Sequence, residues 1–149
     1  MQTITVGKLL QGKEGKKVWT IGPEASVYEA LELMSAHDLG ALVVTEQGRV
    51  VGLFSERDYA RKVILRGKSS RTARVREMMS TPVLYATPDE SVEDCLRVMT
   101  VKRIRHLPVL DGQQLVGIVS IGDAVERIIA EQKFEIGQLE KYIHGTGYN

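Results

Sequence analysis

Two apolar stripes of helical period recur in the chain. Val27, Ala30, Leu31 and Met34 fall at i, i+3, i+4 and i+7, and Val92, Cys95, Leu96 and Met99 repeat that spacing. Each stripe predicts a helix with one buried face. Both open on a helix-start signal. Ser26-Val27-Tyr28-Glu29 has the Ser-x-x-Glu form in which serine caps the first turn and the acid reaches back, and Ser91-Val92-Glu93-Asp94 follows the same scheme with a shorter acid. Two dense apolar runs follow each stripe, 41–45 with 50–54 and 106–110 with 115–119. They predict paired strands, turned by Glu46-Gln47-Gly48 in the first case and by Asp111-Gly112 in the second. Residues 18–21 predict a short strand ahead of the first stripe, and a second helix is predicted to start at Ser55 and again at Ser120. Each half is therefore expected to be β-α-β-β-α.

The two halves align without a gap. With a shift of 65, residues 23–59 and 88–124 agree at 11 of 37 positions, among them Pro23/Pro88, Gly52/Gly117, Ser55/Ser120 and Asp58/Asp123. A repeat of this length is a duplicated supersecondary unit. One copy is too small to bury much core, so the copies are expected to pack on each other. The fold class expected is α+β, two such repeats about a pseudo-two-fold axis with an extended C-terminal helix. The divisions expected are 1–65 for the first repeat, 66–75 for a basic Gly/Ser-rich linker, 76–130 for the second repeat and 131–149 for the C-terminal helix and tail. The last helix is predicted over about 120–143. Its apolar residues, Val125, Ile128, Ile129, Phe134, Ile136, Leu139 and Ile143, outrun what one small half can cover, so it is expected to pack across the domain or on a second subunit.

Composition narrows the class. With 149 residues, 43% hydrophobic and 26% charged, the chain is an ordinary globular one. A net charge of +1 gives no global field to recruit nucleic acid or membrane. The single Cys95 excludes an internal disulfide framework and fits a reducing cytoplasm. No secretory h-region and no 18-residue apolar run is visible, so a cytoplasmic chain without a membrane span is expected. One local exception is the stretch 57–76, with eight Lys/Arg and one acid, Asp58. It is expected to be a solvated face. The alternative, a nucleic-acid surface, lacks the interleaved aromatics of single-strand platforms.

No enzyme signature is legible. Gly67-Lys68-Ser69 imitates the end of a phosphate loop, but Lys62 stands where glycine is needed. The three histidines and Cys95 lack metal-ligand spacing. What recurs instead is Gly-h-h-Ser-x-x-Asp, as Gly52 to Asp58 and Gly117 to Asp123. Serine at a helix N-cap with aspartate three residues on satisfies free backbone N–H groups. The same helix start is also a phosphate site, and a carboxylate beside it can accept both hydroxyls of a ribose. Arg105 and His106 stand where a helix hands over to a strand, and forked arginine donors match phosphate oxygens. The first half has Gly40 and Ala41 at those positions, so the two halves are not equivalent as sites.

The doubled β-α-β-β-α pattern, the two Gly-h-h-Ser-x-x-Asp elements and Arg105-His106-Leu107-Pro108-Val109 resemble a tandem CBS-domain pair, the Bateman module, over residues 1 to about 130. The chain is similar to a stand-alone protein of that family. The resemblance implies a non-catalytic regulatory module that binds an adenosine ligand (AMP, ADP, ATP, NAD(H) or S-adenosylmethionine) in clefts between repeats. It implies that Asp58 and Asp123 hold ribose hydroxyls, Ser55 and Ser120 contact phosphate or ribose, and Arg105 and His106 contact phosphate. Thr87 would face adenosine, Ile21 and Ala86 would line the adenine slot, and Arg57 would add a phosphate contact. A homodimer and a regulated protein reached in trans are implied as partners. Gly22 in place of the threonine found at Thr87 implies one strong and one weaker site. A nucleic-acid-binding module on 57–76 and a ligand-free interaction protein are the alternatives.

Overall fold

The computed structural model describes residues 3–12 and 17–144, with the backbone alone for 140–144. Residues 13–16 and residues 145–149, the latter expected as a tail, lie outside the described residues.

Helix α1 (Val6–Gln11) is followed by β1 (Thr20–Ile21), α2 (Val27–His37), β2 (Ala41–Glu46), β3 (Arg49–Ser55) and α3 (Glu56–Asp58), which runs into a π-helix (Tyr59–Ile64). Then come α4 (Val75–Met78), α5 (Val92–Lys102), β4 (His106–Asp111), β5 (Gln114–Ser120) and α6 (Ile121–His144). Mixed α and β elements in two halves, with a long final helix, are as the sequence predicts. The stripes are the buried faces: Val27, Ala30 and Met34 of α2 and Val92, Cys95 and Met99 of α5 are at most 3% exposed. Ser26 Oγ caps α2 by accepting the Glu29 N–H at 3.1 Å, and Ser91 Oγ caps α5 by accepting the Asp94 N–H at 3.0 Å.

Packing divides the chain into two units. One holds Lys17–Tyr85 with the hairpin tip Leu110–Val116; the other holds Ala86–Val109, the chain from Gly117 and the N-terminal segment. In the first unit β1 lies parallel to β2, with Ile21 opposite Val44, and β2 is antiparallel to β3, with Ala41 opposite Ser55. In the second, β4 and β5 form a two-stranded sheet, and the strand expected before α5 is reduced to one parallel bridge, Ala86 to Val109.

Two short segments join cores that their position in the chain does not suggest. Residues Val6 and Leu9, grouped by position with the first repeat, are buried in the core of the second half with Val92, Met99 and Leu107. Residues Ala73 and Val75, inside the stretch expected as linker, are buried in the core of the first half with Val27, Leu42 and Phe54. Hydrogen bonding explains both. Val6 and Gly7 donate to Glu90 O and Pro88 O, each at 2.8 Å, while Val75 and Arg76 donate to Ala25 O and Pro23 O, each at 2.9 Å. Ala25 and Pro23 are the 65-shift equivalents of Glu90 and Pro88. Thus α1 serves the second half as α4 serves the first, each segment satisfying backbone groups ahead of a repeat helix.

The repeated glycine has a packing role here. A Cβ on Gly52 would collide with Met79 Sδ, and one on Gly117 would meet Leu10 Cδ2 at 2.7 Å. Leu10 and Met79 close α1 and α4 onto the strands, and only a residue without a side chain lets them in.

Cys95 is 1% exposed, and burial, helped by the charges of Glu90 and Asp94, pushes its thiol up to about 11. The raised value stabilises the fold below the ordinary thiol range, and that contribution is lost as pH rises through about 11. At pH 8 the folded chain is expected to give no reaction with a thiol-specific chromophoric reagent, and one thiol per chain after denaturation. Rapid native labelling would contradict this packing.

Candidate functional site

Each Gly-h-h-Ser-x-x-Asp element becomes a strand end and a helix start. In the first half Ser55 N-caps α3. Its Oγ accepts the Asp58 N–H at 3.1 Å while Asp58 Oδ2 accepts the Ser55 N–H at 2.9 Å, a reciprocal capping box. In the second half Ser120 Oγ accepts the Asp123 N–H at 3.0 Å and Asp123 Oδ2 accepts the Ser120 N–H at 3.2 Å. The capping role is therefore met in both copies.

The surroundings of the two carboxylates differ. Asp58 is 8% exposed. Its Oδ2 also accepts the Ser55 hydroxyl at 3.0 Å, and its Oδ1 accepts the Ser80 hydroxyl at 3.0 Å and lies 3.0 Å from Lys62 Nζ. A carboxylate offers about four lone-pair sites, and these four groups occupy them. Lys62 in turn donates to Met78 O at 3.2 Å and Ser80 Oγ at 3.3 Å, so the cluster ties the start of the π-helix to the end of α4. Neither Lys62 nor Ser80 was foreseen. The i, i+4 spacing of Asp58 and Lys62 was a signal in the sequence; Ser80, 22 residues away, left none.

Asp123 is only half-buried. It sits at the start of a helix of 24 residues, where the free N–H groups favour negative charge. Arg105 is held beside it through the backbone, its carbonyl accepting the Ile121 N–H at 2.9 Å, as Gly40 O accepts the Glu56 N–H at 3.1 Å in the first half. Arg105 is exposed and the adjoining His106 half-buried. Ser120, Asp123 and the Arg105 backbone thus meet at the start of α6, with His106 next in the chain. The first half, with Gly40 and Ala41 there, has no cation at those positions.

The remaining expected residues are placed less centrally. Ala86 is fully buried, its N–H donating to Pro108 O at 2.9 Å, and Ile21 is half-buried in β1. Thr87 follows Ala86; its hydroxyl donates to Asp89 at 2.6 Å and holds that carboxyl below its usual range. Arg57 is exposed in α3.

In the basic stretch, Lys62 meets Asp58, Arg71 lies 4.2 Å over the Tyr28 ring, Arg74 donates to Glu24 O at 2.5 Å, and Arg76 bridges Glu24 and Glu46 at 2.6 and 2.9 Å. At least half of its eight cations therefore have internal partners. No group of three or more His, Cys, Asp or Glu that could hold a metal occurs among the described residues.

The sequence profile of the CBS domain matches residues 15–65 and again 75–130. The chain belongs to the CBS domain family. As a tandem CBS-domain pair it is similar to the CBS domain-containing protein CBSX3, mitochondrial, of Arabidopsis thaliana, at 35% identity over 99% of this chain and 75% of that one. A CBS-domain containing protein from Agrobacterium tumefaciens has a similar structure, with a TM-score of 0.78 at 38% identity, covering 83% of this chain and 98% of that chain. The CBS domain pair of protein MJ0100, in complex with 5-methylthioadenosine and S-adenosyl-L-methionine, superimposes with a TM-score of 0.76 at 26% identity, covering 88% and 99%. No helix among the described residues is long and apolar enough to cross a membrane.

Proposed function

We propose that this CBS pair is a non-catalytic, cytoplasmic regulatory module, a homodimer that binds an adenosine-containing ligand and passes the event to a protein it regulates in trans. The half-site at the start of α6 carries the reading: Ser120 and Asp123 take the ribose, and Arg105 with His106 takes phosphate where the ligand has one. Thr87 faces the nucleoside, and the fully buried Ala86 backs it from the core. Binding shifts a conformational balance only as far as the ligand prefers one state, and an adenine nucleotide whose level follows energy supply would make the module an energy sensor.

The ligands of the related pair support the ribose assignment. 5-Methylthioadenosine and S-adenosylmethionine carry adenine and a ribose diol but no phosphate, so the adenosine part, with its diol, is what they share with AMP, ADP, ATP and NADH. The same chemistry provides the test. Protein stripped of co-purified ligand is screened by thermal shift against AMP, ADP, ATP, NAD, NADH and S-adenosylmethionine, with Arg105→Ala alongside. A true ligand at 100 times its dissociation constant adds about 2.7 kcal/mol. A nucleotide ligand is expected to lose much of its shift in Arg105→Ala, whereas S-adenosylmethionine keeps it. A folded protein unmoved by every compound would overturn the sensor reading.

A further inference from the structure

The Asp58 carboxylate already holds what a ribose would bring to it. A ribose diol offers a pair of hydroxyls, one for each oxygen of an acceptor carboxylate. In this chain Asp58 Oδ2 accepts the Ser55 hydroxyl and Asp58 Oδ1 accepts the Ser80 hydroxyl, each at 3.0 Å. Ser55 belongs to the repeated element and has its counterpart in Ser120. Ser80 comes from outside that element, just beyond α4. Met79 and Leu10 hold like places against Gly52 and Gly117, so the residues that follow them, Ser80 and Gln11, correspond. The second half thus has an amide side chain where the first has a hydroxyl.

The Ser80 contact is built to be displaced. Ser80 is exposed, so its hydroxyl can turn to water at little desolvation cost. Its backbone is held independently, the Ser80 N–H donating to Leu53 O at 2.8 Å and Ser80 O accepting the Leu53 N–H at 3.3 Å. One change of side-chain rotamer therefore releases Oδ1 while this strand pairing stays intact. Lys62 need not leave with it. Its ammonium also donates to Met78 O at 3.2 Å, which keeps the cation beside the carboxylate in either state.

We infer that Ser80 is an autoinhibitory residue of the first half, its hydroxyl standing in for one hydroxyl of a ribose diol and setting how tightly this half takes an adenosine ligand. The inference rests on the reading of the paired aspartates as ribose acceptors. With Ser80 in place, a ligand exchanges one hydroxyl for another at Oδ1 and gains no net bond there. Without it, the same ligand gains a hydrogen bond to a charged acceptor.

The test is isothermal titration of stripped Asp123→Ala protein, in which the first half alone is read. The probes are AMP, its 2′,3′-dideoxy analogue and 5-methylthioadenosine. Adding Ser80→Ala is expected to tighten AMP and 5-methylthioadenosine on the order of tenfold, the worth of one hydrogen bond to a charged group, and to leave the dideoxy analogue unchanged. Ser80→Thr keeps the hydroxyl and is expected to bind as the Asp123→Ala chain does. A thermal melt followed by Trp19 fluorescence checks that each variant is folded. An affinity unmoved by Ser80→Ala, a gain shared by Ser80→Thr, or an equal gain for the dideoxy analogue would each overturn the proposal. Any of these beside an unsubstituted chain that binds through Asp123 leaves the sensor reading standing, whereas silence of the unsubstituted chain and of every variant overturns both.

Discussion

Asp58→Ala is expected to destabilise the chain by about 3 kcal/mol, within the range for breaking a buried charged network. For a chain of this size that corresponds to a melting temperature lower by roughly 10 °C. The reason lies in the four groups that the carboxylate satisfies. Removing it opens the capping box by taking the acceptor from the Ser55 N–H and hydroxyl, leaves the Ser80 hydroxyl to seek another acceptor, and takes the counter-charge from Lys62, whose side chain is 30% exposed. The lost bond from the Ser55 N–H accounts for about 1 kcal/mol; the remainder comes from the link between the π-helix and the end of α4. Lys62→Met, which removes the cation but leaves the cap, is expected to cost only about 1 kcal/mol, because a partly exposed ion pair is worth little. The two substitutions share one network, so a double-mutant cycle should show coupling instead of simple addition. Chemical denaturation of the three variants measures all of this. An Asp58→Ala protein as stable as the parent would mean that the four contacts contribute nothing net.

What could be read from the chain was what is encoded locally. Helix stripes, the Ser26 and Ser91 caps and the paired Ser-x-x-Asp starts all reside within a few residues of sequence, and the doubling reinforced each of them. The exchange of α1 and α4 between positions could not be read that way. The two elements are 6 and 4 residues long, too short for a period to register. They correspond at a shift of 69, Val6 with Val75 and Leu9 with Met78, and so fall out of step with the 65-residue repeat. Basic and Gly/Ser-rich neighbours also hid Ala73 and Val75 in what looked like linker. The site was legible in its residue types but not in their availability. Ser55 and Asp58 match Ser120 and Asp123 letter for letter, and only the distant Ser80 and the turn-adjacent Lys62 reveal that the first carboxylate is already saturated.

That difference sets the second large effect. Asp123→Ala is expected to weaken binding of the adenosine ligand at least on the order of a hundredfold, by removing a charged acceptor of two hydroxyls. The loss of its bond from the Ser120 N–H is expected to cost about 1 kcal/mol of stability. The two acids should therefore separate: one mainly a structural group, the other mainly a binding group. A ribose reaching Asp58 must displace a serine hydroxyl or Lys62 from a fully used carboxylate, and the first half has Gly40 and Ala41 where Arg105 and His106 stand in the second. One strong site and one weaker site follow, and isothermal titration of the stripped protein reads both affinities directly. In Asp123→Ala the strong phase should vanish and the weak one persist. Two sites of equal affinity in the parent, or a strong phase that survives Asp123→Ala, would show that the saturation of Asp58 does not govern where the ligand binds.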